Sequence, residues 1–123
     1  MKLLLSLFIA IGLSGCATPS DLRKKTPSLD MTSKRTAKEV ALCIAEKWEN
    51  TKPFMSLSSP PVNTNIRSNG YSIIVTNIAL ASSNAVALAD VTEIEMASAT
   101  RYYKLWGSGS GYGDYDQAVI ECQ

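Results

Sequence analysis

The chain has 123 residues, which is room for one small domain and, once a removable leader is subtracted, too little for a second core. Hydrophobic residues make up 46% and charged residues 19%, with 12 Lys+Arg against 11 Asp+Glu, which argues against disorder and against a nucleic-acid-binding surface. There is no histidine, so the commonest general base and the commonest metal ligand are both missing.

The N-terminus carries one charge, Lys2, and then an apolar run over 3–13 that ends at the small residues Ser14 and Gly15. A run this short does not reach the roughly 20 residues that cross a bilayer, and it reads as the hydrophobic region of an export signal. The four residues Leu13-Ser14-Gly15-Cys16 follow. They resemble the lipobox of bacterial lipoproteins at every position. The resemblance implies cleavage before Cys16, a diacylglyceryl group on its thiol and an acylated (palmitate-type) new amino terminus. Several acyl chains on one residue hold a protein on a membrane essentially permanently. The family's sorting rule implies the periplasmic leaflet of the outer membrane in a diderm host, because Ala17 rather than Asp follows the cysteine.

Loss of the leader takes Lys2 with it and leaves eleven basic and eleven acidic side chains. Arg23, Lys24 and Lys25 lie close behind the anchor, with Lys34, Arg35 and Lys38 further on, positioned either to meet anionic head groups or to solvate a tether. The polar, Pro-flanked stretch over 17–27 reads as that tether, spanning on the order of 20 Å. The expected organisation is a signal peptide over 1–15, an anchor and flexible tether over 16–27, and one domain over 28–123.

In the domain, Thr36-Ala37-Lys38-Glu39 forms a capping-box pattern. Ala37, Val40, Ala41, Ile44 and Trp48 then fall on one stripe, which predicts a helix over 36–50, ended by the approach of Pro53. A Ser/Pro-dense stretch over 56–61 and the turn signal Asn69-Gly70 come next. Strands are expected over 70–80 and 85–93 as a hairpin turning at Ser82-Ser83-Asn84, and over 97–106. Shorter edge strands are expected over 29–32 and 62–67. In the third strand Thr100, Tyr102, Lys104 and Trp106 share one face, and Ala99, Arg101, Tyr103 and Leu105 the other.

The glycine-rich stretch over 107–113 lacks the Lys and Ser/Thr of a phosphate loop and reads as a connector. It leads to a helix on which Tyr115, Ala118, Val119 and Cys122 line up. The element order predicts an α+β fold, with a small antiparallel sheet of three to five strands and an N-terminal and a C-terminal helix on one of its faces.

With Cys16 assigned to lipid, Cys43 and Cys122 remain in an oxidising compartment, which argues for a disulfide; two separate buried thiols are the alternative. The helix Val-Ala-x-Cys-Ile-Ala-x-Lys-Trp-Glu over 40–49, the Gly70-Tyr71-Ser72 strand and the late cysteine Cys122 resemble a group of small, functionally uncharacterised bacterial lipoproteins. That resemblance implies the same fold and cysteine pairing and brings no activity.

Chemistry is thinly represented. Asp90, Glu93 and Glu95 cluster near a strand end, where the usual outcome is a solvated turn, and nothing there names a substrate. The expectation is therefore a monomeric non-enzyme without metal or cofactor, contacting the membrane through its lipid and not binding nucleic acid. It would act as a binding or adaptor module for another envelope component, through Tyr102, Lys104, Trp106 and Tyr112. The alternative is an inhibitor or immunity lipoprotein that blocks a periplasmic enzyme or toxin.

Overall fold

The computed structural model describes residues 17–52, 59–79, 82–105 and 113–123. In chain order the elements are α1 (Pro19–Arg23), β1 (Leu29–Ser33), α2 (Ala37–Glu49), β2 (Val62–Arg67), β3 (Gly70–Ala79), β4 (Ser82–Ile94), β5 (Ala97–Lys104) and α3 (Gly113–Glu121). The five strands form one antiparallel sheet in the order β1-β5-β4-β3-β2. Strands β2 to β5 pair in succession as a meander. β1 pairs with β5, so α2 carries the chain from one edge of the sheet to the other. The expected α+β class is the observed one, and the two short strands lie at the edges.

Thr36 caps α2 as expected, its hydroxyl accepting from the Glu39 amide, and the stripe from Ala37 to Trp48 is fully or almost fully buried. That stripe joins Ile73, Val75, Val86, Ala89, Val91 and Tyr102 of the sheet, Tyr115, Ala118 and Val119 of α3, and Cys122 just after it in the main core cluster. Trp48 lies at its centre. Its indole N–H donates to the Tyr115 carbonyl at 3.1 Å, and its ring meets Tyr115 edge-on at 5.6 Å and Tyr102 tilted at 5.9 Å. Cys43 and Cys122 are bonded, with their Cα atoms 5.7 Å apart, tying α2 to α3 across 79 residues of chain.

Three features depart from expectation. Residues 17–27 are not simply a tether, because Pro19–Arg23 is helical. Thr18 caps it, with its hydroxyl accepting from the Asp21 amide while the Asp21 carboxylate accepts from the Thr18 amide. Five residues are too few to hold a helix alone, so packing decides. Leu22 is fully buried in a second cluster with Ile74, Ala85, Leu88 and Tyr103, whose strand residues alternate with those of the main cluster. The sheet therefore has packing on both faces.

The second departure is at the β3–β4 hairpin, whose strands continue to Ala79 and from Ser82, so Ser82, Ser83 and Asn84 pair with Ala79, Ile78 and Asn77 rather than forming the turn. The register shifts between Val75 and Thr76, which face Ala87 and Ala85, leaving Val86 as the extra residue of a bulge.

Third, the turn is Ser68-Asn69 rather than Asn69-Gly70, and Gly70 opens β3 where that strand was expected to begin, opposite Arg67 and Thr92. A Cβ there would overlap the Val91 carbonyl oxygen. Gly70→Ala is therefore expected to push β3 off β4 and lower the unfolding free energy by roughly 1–3 kcal/mol, read as a lower denaturant midpoint at unchanged slope.

Candidate functional site

Of the residues expected to form a binding surface, Tyr102 and Lys104 lie among the described residues, and neither is exposed. Tyr102 is fully buried and belongs to the core, a correction with a clear cause. β1 pairs along the outer side of β5, and Tyr102 belongs to the same core cluster as residues of α2 and α3. Burial, and then the neighbouring Asp116 carboxylate, push its phenol far above the ordinary value. Lys104 lies on the same face of β5, and its ammonium is 2.8 Å from the Asp116 carboxylate with only 14% of the side chain exposed. Trp106, Tyr112, Cys16 and most of the glycine-rich stretch lie outside the described residues.

The acidic trio also separates. Glu93 and Glu95 are exposed, and Glu95 has φ 54° in the β4–β5 turn. Asp90 is different, being 8% exposed in the middle of β4 on the face that carries α1. Its carboxylate accepts from Arg23 at two atoms, Nε at 2.7 Å and Nη2 at 2.9 Å, and from the Ser72 hydroxyl at 2.6 Å. Arg67 Nη1 approaches to 3.2 Å. Burial alone would raise the Asp90 carboxyl. The hydrogen bonds from Arg23 and Ser72, with the charges of Arg23 and Arg67, outweigh burial and hold it below the ordinary carboxylate value.

Around this carboxylate is an open hollow of about 530 Å³ that includes Arg23, Arg67, Arg101, Thr92, Ile94 and Tyr103 in its walls. The three guanidiniums come from α1, β2 and β5. Arg101 is directly opposite Asp90 in the β4–β5 register, and its nearest carboxylate partner is Asp30 at 3.7 Å, where both side chains are more than half exposed. Three guanidiniums thus stand against two carboxylates, Asp90 within the hollow and Asp30 beside Arg101. Asp90 is already taken up by the two-atom grip of Arg23, so Arg67 and Arg101 keep donor capacity and positive charge directed to solvent. Tyr103 and Ile94 add apolar surface to the walls of the hollow. Among the described residues no three His, Cys, Asp or Glu side chains converge. The arrangement is suited to holding an anion with an apolar part beside it.

One further signal in the sequence could have found part of this site. A β4–β5 turn at Glu95-Met96 places Asp90 across from Arg101 by counting back along both strands. The contributions of Arg23 and Ser72 carried no comparable signal, since one needs α1 docked and the other needs the bulge at Val86.

Comparisons with protein-family models, with curated proteins and with solved structures find no match to this chain.

Proposed function

We propose that this protein is a lipid-anchored module of the cell envelope, held through Cys16 on the periplasmic leaflet of the outer membrane, which binds an anionic component through the arginine hollow of the α1 face. The observation that carries the binding role is the gathering of three guanidiniums in one concavity against only two carboxylates, Asp90 within it and Asp30 beside Arg101. The anchor rests on the lipobox pattern at 13–16. A role as an inhibitor or immunity lipoprotein uses the same anchor and stapled fold, but a cationic hollow favours an anionic ligand over the blocking of a catalytic cleft.

Cys16→Ser is expected to move the protein out of the membrane fraction, or to leave it unprocessed, and to abolish incorporation of labelled palmitate. Wild-type protein that fractionates with membranes while incorporating no palmitate refutes the anchor.

A further inference from the structure

Ala17, the residue next to Cys16, is tied to the sheet. Its amide donates to the Asn84 Oδ1 at 2.7 Å, and its carbonyl accepts from the Ala85 amide at 2.9 Å. Consecutive Cα atoms are about 3.8 Å apart, so a lipid on Cys16 would enter the membrane within a few ångströms of β4, with no flexible spacer between them. From there α1 runs along β4, with Ala17 against Ala85 and Arg23 against Asp90. Five residues of strand separate those two points, about 17 Å. The attachment point and the arginine hollow therefore lie on one face of the sheet. Lys24 and Lys25 extend its positive charge just beyond α1, and the ammonium of Lys25 donates to the Leu105 carbonyl at 2.8 Å. Ile94, half exposed, adds an apolar contact at the rim of the hollow.

Resting on the anchored reading above, we infer that the α1 face lies flat on the anionic phospholipid headgroups of the membrane that holds Cys16, with Arg67 and Arg101 taking headgroup phosphates in the hollow. Rigid attachment and excess charge on one face set a single orientation, and α2 and α3 turn toward the periplasm. A cation near an anionic membrane surface gains enough to favour the apposed state about fivefold. Arg67 and Arg101 together then shift the balance of apposed and tilted molecules by roughly thirtyfold.

The test uses the lipidated full-length protein with one added cysteine, the others being acylated or paired, carrying a fluorophore at Ile94→Cys on the α1 face or at Leu42→Cys on α2. The protein is reconstituted on phosphatidylcholine vesicles with and without phosphatidylglycerol, both containing a lipid with a quencher on its headgroup. The expected result is strong quenching at position 94 and little at 42 when phosphatidylglycerol is present. Quenching at 94 should fall with added salt and be lost in Arg67→Gln/Arg101→Gln. Arg67→Lys/Arg101→Lys, which keeps the charge, should restore most of it.

Vesicle-bound protein quenched equally at both positions, or quenched at 94 without the two arginines, overturns the inference and leaves the anchor standing. So does bound protein with no quenching at 94, which would turn the hollow toward soluble anions such as an acidic peptide. Protein that stays in the supernatant refutes the anchor and the inference with it.

Discussion

Replacing Cys43 and Cys122 together by alanine is expected to lower the unfolding free energy by about 4.5 kcal/mol, the chain-entropy value for a closed loop of this length. The bond joins residues 79 positions apart and so restricts most of the unfolded domain. Cys122 is fully buried while Cys43 is only partly so, and each alanine removes just a sulfur, so little cavity energy adds to the entropic part. The loss is comparable with the whole net stability of a domain this small. Denaturant titration of wild type with and without reductant, and of the double variant without it, checks the prediction. The reduced wild type and the variant should share a midpoint well below that of the oxidised protein. A wild type whose midpoint does not move on full reduction would assign the stability to the core around Trp48 instead of to the staple.

The second large effect is expected at Asp90. Asp90→Ala removes the acceptor for both Arg23 nitrogens and for Ser72 and leaves Arg67 without its nearest anion. Breaking a buried pair from one side costs about 3–5 kcal/mol when the orphaned charge stays buried. The Arg23 side chain is 34% exposed and can turn to water, so the lower end of that range, about 3 kcal/mol, is expected. Undocking of α1 should accompany the loss, visible as faster amide exchange at Leu22, whose amide donates to the Thr18 carbonyl in the first turn of α1.

The same residue sets a pH dependence. Its carboxyl is held below the ordinary value of 3.8 in the folded state, so the unfolded chain takes up the proton first as the solution is acidified. The stabilisation is complete well above pH 3.8 and declines as pH falls through the ordinary value toward the folded one. The exposed Asp21 and Glu121 carboxyls are also lowered and act in the same direction. The contribution of Asp90 is therefore the difference between wild type and Asp90→Asn, a gap that should be constant above about pH 5 and close on acidification toward pH 2. A gap independent of pH over that range would mean that shape and hydrogen bonding at position 90, not its charge, hold Arg23.

What could be read in advance divides along physical lines. The helix over 36–50 was legible because a cap, a 3.6-residue stripe and a following proline all act within a few turns of one segment, and α2 is bounded by Thr36 and Asn50 accordingly. The edge positions of β1 and β2 agree with their short, mostly polar runs. The cysteine pairing was legible as a count and a compartment, and it appears as the bond between α2 and α3.

α1 was not legible, because its five residues have no periodicity to show and its helicity depends on Leu22 finding Leu88 and Tyr103 across the sheet. Tyr102 was misplaced for a related reason. Alternation along β5 gives two faces, but which face is covered depends on where α2 and α3 dock.

The sequence by itself determined the types and order of the elements other than α1, favoured the Cys43–Cys122 pair and raised the expectation of a lipid on Cys16, since these follow from local pattern and from residue counting. Only the tertiary structure decided the arginine hollow. Val86 inserts one residue into β4, so that Asp90 meets Ser72 instead of Tyr71, and α1 brings Arg23 onto the same carboxylate from 67 residues away. A bulge and a docked five-residue helix are consequences of packing, which local propensity does not encode, and the charge excess at Arg67 and Arg101 exists only once both have formed.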